Sequence, residues 1–450
     1  MTIKPLRFSE QEFNNIFSHL QQLTGSVLLD SAAKAHSNSN FSVFAWAPKY
    51  LIEADLTETK VYEGDSVLEI SNEDPLLVID KYLKQAQLTE SELPFSGGAI
   101  GYWDYELGGR FEKLPAPKNR EITLPNMAVG IYDTLIVIDH KAKQSHFVCH
   151  NQDAETRYEQ LSELANSHAD LGQFKLEHEW QSNMDKQSYS EKFHQVHEYL
   201  LSGDCYQINL AQRFSSVYQG DEWLAYQKLT DVNSAPFSSF IRLRQGSVLS
   251  LSPERFLQVN GNEIETKPIK GTRPRSAQVD LDQQFANELK VAEKDRAENL
   301  MIVDLLRNDL SKVAVPGTVE VPKLFDIESF PAVHHLVSTV TAKLRAPYTA
   351  LDLLRGAFPG GSITGAPKIR AMQIINELEP DPRSVYCGAI GYIKPNGDMD
   401  TNITIRTLVC NNNKIYCWAG GGLVADSKCD DEYQETLDKV NKILPVLSQA

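Results

Sequence analysis

Lys270 stands in the stretch T-K-P-I-K-G-T-R-P-R, between an isoleucine and a glycine, with Arg273 and Arg275 close behind. Lysine prefers water. Three such cations repel one another unless an anion sits among them, so the stretch reads as a site for an acidic ligand or as a solvated basic loop. Glu263 to Ile269, with Ile264 and Ile269 as apolar anchors, predicts a short strand that gives way to a Gly-Thr turn with the Lys270 amine at its mouth.

Other groups could join it. Glu254, in L-S-P-E-R-F, either pairs with Arg255 in solvent or donates a proton. His334 and His335 are core histidines or groups set against a ligand. Glu435 and Lys439 are four apart and share a helix face, as an ordinary surface ion pair would. Glu298 falls at a helix start, where the macrodipole favours a carboxylate. Paired across the fold, Glu298 and Glu435 could instead hold Mg²⁺, which commonly takes only one or two protein carboxylates. Gly360-Gly-Ser-Ile-Thr-Gly-Ala-Pro-Lys368 has the glycine density of an anion-cradling loop, with hydroxyls at Ser362 and Thr364. It is not a Walker A loop, because Ala366-Pro367 separates the last glycine from the lysine and proline supplies no N–H. A ligand-free glycine turn fits it equally.

The elements that must position these groups fall into two regions, 1–180 and 181–450. The first alternates β-rich runs such as Ala128 to Asp139 with Gly/Pro loops, then turns polar and helix-favouring after Asn151. The second opens with Asp185 as an N-cap and a helix carrying Tyr189, Phe193, Val196 and Leu200. In the strand predicted over Cys205 to Phe214, Tyr206, Ile208 and Leu210 share one face while Gln207 and Asn209 point away from the probable core side. Asn299 to Leu310 is apolar enough for a buried helix yet carries Asp304, Arg307 and Asp309, and buried charges demand partners. Asn411-Asn-Asn-Lys predicts a hairpin turn, and a last helix runs from about Asp430 to Leu447.

A chain of 450 residues with 42% hydrophobic content can bury one large core or two. Its net charge of −16 argues against nucleic-acid binding and against an anionic membrane surface, so an anionic substrate needs a locally basic pocket. Six cysteines without C-x-x-C or zinc spacing read as reduced packing thiols and point to the cytoplasm. No stretch approaches the ~20 apolar residues of a membrane span.

In order along the chain, S-P-E-R-F, P-I-K-G-T-R-P-R, A-E-N-L-M-I-V-D-L-L-R-N-D-L, H-H-L-V-S, G-G-S-I-T-G-A-P-K, Y-C-G-A-I-G-Y, I-T-I-R-T and A-D-S with Q-E-T-L-D-K resemble the chorismate-utilising enzymes. That family contains the anthranilate, isochorismate, salicylate and aminodeoxychorismate synthases. The resemblance runs through nearly all of 185–445, and the N-terminal half is similar to that of the amino-transferring members. It implies an α+β (mixed α/β) fold: large, mostly antiparallel sheets in a two-layered β-rich core with helices outside. Anthranilate, isochorismate and salicylate synthases carry alanine in the corresponding P-I-A-G-T. P-I-K-G-T is the pattern of the members that replace the C4 hydroxyl of chorismate with an amino group, in para-aminobenzoate and folate biosynthesis. Hydroxylating members place their water-activating lysine where this chain has Gln207.

By resemblance, Lys270 adds to chorismate at C2, Glu254 protonates the departing C4 hydroxyl, and His335 orients the substrate. Ammonia then enters at C4 and expels the lysine, giving 4-amino-4-deoxychorismate. Glu298 and Glu435 would bind Mg²⁺. Gly271, Thr272, Ser362, Thr364, Tyr386, Arg406, Lys439 and the backbone of Gly420, Gly421 and Gly422 would bind the substrate. A separate glutaminase subunit would deliver the ammonia from glutamine, since the chain has no G-x-C-x-G loop. Related synthases bind L-tryptophan between their halves. Ser31, Pro236, Phe237 and Ser238 match that pocket, whereas Asn38, Ser39, Asn40 and Phe41 align with a segment usually richer in aromatics; a collapsed, empty pocket is the alternative. The runner-up activity is that of anthranilate synthase component I, which has no use for Lys270. A non-catalytic tryptophan-binding homologue has no physical reason to keep the costly cluster Glu254, Lys270, Glu298 and Glu435.

Overall fold

A computed structural model describes residues 1–33, 40–329 and 333–448. Local signals set several elements directly. Asp185 caps the helix Lys186–Leu201 by accepting from the Ser188 N–H at 2.8 Å, and Tyr189, Phe193, Val196 and Leu200 form its buried face. Asn412 and Asn413, at φ 52° and 60°, close the hairpin between Thr407–Asn411 and Lys414–Leu423. Asparagine tolerates that left-handed backbone, which the right-handed twist of a two-residue hairpin requires.

The strands form two large sheets, antiparallel at every register between named strands among the described residues. One core lies between the sheets, with Val27, Val43, Ile208 and Ile241 from the first meeting Ile52, Ile100, Leu257 and Ile390 from the second. A second core, including Phe17, Phe147, Leu161, Trp223 and Phe240, fills the outer face of the first sheet beneath the helices Glu10–Leu20, Ala154–Ala165 and Glu222–Val232. The expected two-layered, mixed α and β architecture is what the chain adopts. Strands from either side of residue 180 are hydrogen-bonded neighbours in both sheets: Asp30 pairs with Ser238 in the first, and Gly101 with Gly391 in the second. A division at 180 therefore cuts through both sheets.

Three local expectations change. Ile269–Pro274 is a strand, not the edge of a turn, and it pairs with Val333–Lys343. The strand predicted from Cys205 is Gln207–Gly220; Tyr206 is 70% exposed, whereas Gln207 and Asn209 are buried, because both faces of this strand are covered. The final helix breaks into Cys429–Val440 and Leu444–Ser448.

Candidate active site

The register of Ile269–Pro274 slips between Lys270 and Thr272, which makes a β-bulge at Gly271. Gly271 has φ +69°, and a Cβ there would lie 2.7 Å from Leu289 Cδ1 and 2.8 Å from Asp295 Cγ, so glycine is required twice over. The two arginines behind the bulge have partners: Arg273 reaches Asp295 at 3.1 Å and Arg275 reaches Asp282 at 2.8 Å. Lys270 makes no ion pair among the described residues, and its amine donates to the Ser362 carbonyl at 3.4 Å. Burial pushes its pKa down, Glu298 and Glu254 pull it back up, Lys439 pushes it down again, and the net direction is down.

Glu254 is buried and is not paired with Arg255, which forks onto Asp400 at 2.9 and 3.0 Å instead. Its Oε1 accepts from the Ser362 hydroxyl at 3.4 Å. Burial raises the carboxyl to about 7 against the pull of Lys270, the Ile269 N–H, Ser362 and Lys439. A carboxyl that titrates there can give up a proton at neutral pH.

More carboxylates approach from two helices. Glu298 comes from Glu293–Ser311 and is raised by burial, with Lys270 and Lys294 opposing. Glu435 comes from Cys429–Val440; burial pushes it up, but Lys439, 2.6 Å away, and then Lys294 and Lys270 outweigh that and leave it lowered. Glu432, one turn earlier and 3% exposed, was not foreseen. Its Oε1 accepts from the Ser427 hydroxyl at 2.7 Å, while its buried Oε2 has no partner. Gly421 makes room for this pair: a Cβ there would stand 3.0 Å from Glu432 Oε2 and 3.6 Å from Glu435 Oε1. Among the described residues no three ligating side chains converge as a ready-made metal site. The donor set still suits Mg²⁺, a hard ion that needs few protein carboxylates, and the orphaned Glu432 oxygen is the group a cation or its water shell would satisfy.

Against these carboxylates lies the glycine strip Gly420 to Gly422. Lys439 donates to the Gly420 carbonyl at 2.7 Å. A Cβ on Gly422 would stand 2.0 Å from Gln207 Nε2, so the Gln207 amide packs directly against the strip, with its Oε1 buried and without a hydrogen-bond partner among the described residues. Arg383, also unforeseen, braces this wall. Fully buried, it forks onto Glu379 at 2.9 and 2.6 Å and donates to the carbonyls of Ile363 at 3.0 Å and Asn209 at 2.9 Å. One side chain thus ties the glycine-rich loop to the Gln207–Gly220 strand. Glu106 of the N-terminal region accepts from the N–H groups of Arg383 and Ser384, each at 2.8 Å. The sequence signals were present but weak: an i,i+4 Glu-Arg pair, and a glutamate three before Glu435.

The remaining predicted residues fall as follows. His335 is buried and bonds through Nδ1 to the Thr272 hydroxyl at 2.9 Å, its partner across the strand pair. Tyr386 is buried and stacks parallel to Trp418. Arg406 is exposed, with φ 51°, within Coulombic range of Glu254. Thr364 is fully buried and donates its hydroxyl to Gly360 O at 3.1 Å, which holds the loop's own shape. Lys368 is no anion ligand in this structure: its amine bonds Asp309 at 2.7 Å and the Ala357 carbonyl at 2.6 Å. That supplies the partner the buried Asp309 demanded, while Asp304 and Arg307 pair with each other in solvent at 2.8 Å. In the expected tryptophan pocket, Ser31 donates to the Phe41 carbonyl at 2.6 Å, Pro236 and Ser238 are buried, and Phe237 lies under the Arg255 guanidinium. Asn40 Oδ1 is buried without a partner, and Asn38 and Ser39 lie outside the described residues.

The two sheets and their flanking helices thus bring a buried lysine amine, a buried glutamate and further carboxylates within Coulombic reach of one another, the groups that acid–base and nucleophilic chemistry on a small molecule requires. Residues 25–445 match the family model described as chorismate binding enzyme, and the chain belongs to that family. It is 51% identical over 436 residues to aminodeoxychorismate synthase component 1 of Escherichia coli, spanning 96% of this chain and 95% of the relative. It is 50% identical to the protein of the same name from Klebsiella aerogenes, over 95% of each. The crystal structure of anthranilate synthase component I from Streptococcus pneumoniae superimposes with a TM-score of 0.82 at 32% identity, covering 90% of this chain and 92% of that one.

Proposed function

We propose that the chain converts chorismate and ammonia into 4-amino-4-deoxychorismate and water, the chemistry for which its relatives at 51% and 50% identity are named. The observation that carries this reading is the placement of a pKa-lowered Lys270 amine and a Glu254 carboxyl titrating near 7 on the same residue, Ser362. The free amine of Lys270 adds its lone pair to C2 of the ring. The diene shifts, the C4–O bond breaks, and Glu254 gives its proton to the departing hydroxyl, which leaves as water. The carboxylate so formed takes the proton from the new C2 ammonium. Ammonia then adds at C4, the double bonds shift back, the C2–N bond breaks, and Glu254 returns the proton to the leaving lysine nitrogen as the new amine sheds one.

Glu298 and Glu435, with Glu432 beside them, would hold Mg²⁺, which when bound neutralises the substrate's ring carboxylate and draws electron density toward it. Arg406, Lys439, Thr272 and the Gly420 to Gly422 backbone would bind the rest of the dianion. Gln207 offers no base to activate water, so ammonia meets no competitor made by the protein. Ammonia would come from a glutaminase subunit, in keeping with relatives named as one component of a synthase. Ser31, Phe41 and Pro236 to Ser238 would hold L-tryptophan, whose ammonium could donate a hydrogen bond to the buried Asn40 Oδ1. A cytoplasmic setting agrees with six free thiols, five of them buried; no helix of the structure, among the described residues, is long and apolar enough to cross a membrane.

Mass spectrometry of the full chain after brief exposure to chorismate and Mg²⁺ without ammonia tests the reading. The expected result is an adduct on Lys270, absent from Lys270→Ala, and aminodeoxychorismate once ammonium is added. Anthranilate or isochorismate as the product overturns it.

A further inference from the structure

Lys294 has no role in the steps above. It lies one turn before Glu298 on the helix Glu293–Ser311, and its amine stands between two carboxylates of the cluster, 4.0 Å from Glu298 Oε1 and 3.6 Å from Glu432 Oε1. Glu435 acts on it as well. The side chain is 60% exposed, so a long apolar stem reaches in from solvent and only the charged tip meets the cluster. Lys439, the other cation beside Glu435, is anchored by its bond to the Gly420 carbonyl. Among the described residues Lys294 has no backbone anchor of that kind, and it can leave by rotating its stem. Glu432 is 3% exposed and its Oε2 is unpartnered, and one ammonium at 3.6 Å from the other oxygen leaves that cost standing. Carboxylates brought together in a partly buried site need positive charge; Lys270 and Lys439 supply part of it from inside the site, and Lys294 supplies more from a side chain that reaches in from solvent.

We propose that Lys294 is an internal counter-ion that stands in for the divalent cation and must swing out when Mg²⁺ enters, so that it sets the site's affinity for the metal. This rests on the magnesium reading above. Two consequences follow from electrostatics. The lysine competes with the metal for the same oxygens, so removing it tightens metal binding. It also relieves repulsion among Glu298, Glu432 and Glu435, so removing it weakens the metal-free fold and enlarges the stabilisation that the metal confers.

The experiment is calorimetric titration of Mg²⁺ into the full chain without chorismate, repeated with Mn²⁺ by electron paramagnetic resonance and accompanied by thermal melts with and without Mg²⁺, on the wild type, Lys294→Met, Lys294→Arg and Glu435→Gln. Lys294→Met should bind Mg²⁺ about tenfold more tightly than the wild type and show a larger Mg²⁺-induced rise in melting temperature. Lys294→Arg, which keeps the charge, should stay near the wild type. Equal or weaker binding by Lys294→Met, with Glu435→Gln still impaired, overturns the counter-ion role and leaves the magnesium reading standing. Identical binding by the wild type and Glu435→Gln, or no binding by any of the four proteins, overturns the magnesium reading and the inference with it.

Discussion

Glu254 and Lys270 reach opposite ends of one residue: Ser362 donates its hydroxyl to the carboxyl at 3.4 Å and offers its carbonyl to the amine at 3.4 Å. The glycine-rich loop that carries Ser362 therefore sets the spacing of the two groups proposed above as acid and nucleophile. Burial favours the neutral form of each, the form in which the proposed reaction uses it.

That arrangement fixes a pH profile. In the proposed reaction Glu254 acts in its protonated form, and it titrates near 7, so loss of its proton should contribute an alkaline limb to the kcat/KM profile. Lys270 acts as the free amine, so the same profile should fall on the acid side as well. Glu254→Gln should remove the alkaline limb and lower kcat by about 10² to 10⁴. An unchanged alkaline limb in that variant would assign the titration to another group.

The same carboxyl affects stability. Its folded pKa lies above the ordinary 4.5, so its contribution to stability is fully present below 4.5 and is lost as pH rises through about 7. Glu254→Gln should therefore gain on the wild type by about 3 kcal/mol between pH 4 and pH 8, read by urea denaturation at each pH.

Arg383→Met should cost about 3 to 5 kcal/mol, because it strands the buried Glu379 carboxylate. It also frees the Ile363 and Asn209 carbonyls from their common anchor. Denaturant unfolding measures the first effect; a kcat loss larger than the change in KM reports the second.

Asp309→Asn should cost about 3 kcal/mol by leaving Lys368, and Lys312 at 3.0 Å, without their counter-charge. Combined with Lys368→Met, the loss should be smaller than the sum of the two single losses, a coupling that a double-mutant cycle measures.

Gly271→Ala should leave the circular dichroism spectrum intact, cost about 1 to 3 kcal/mol for the left-handed φ and the contact with Leu289, and lower kcat. The bulge adjoins Lys270, so on the proposed covalent mechanism loss of adduct formation should accompany the loss of rate.

Much was legible in the residues themselves. The Asp185 cap, the periodic face of its helix and the paired asparagines of the hairpin are short-range chemistry, decided within a few residues of chain. Lys270, Glu254, Glu298 and Glu435 could be picked out because their motifs follow one another in a family order. The sequence could not say that Arg273 and Arg275 would be neutralised by Asp295 and Asp282 while Lys270 was left, among the described residues, with no ion pair. Nor could it say that Lys368 would serve Asp309, 59 residues away, rather than an anion. Glu432 and Arg383 gave only faint local signals, because what makes them matter is burial, and burial depends on which helix packs against which strand. Side-chain identity and local spacing determined what chemistry was possible. The two sheets decided which charges meet a partner and which are left free to react, because solvation and Coulomb energy depend on distances in space that chain order does not contain.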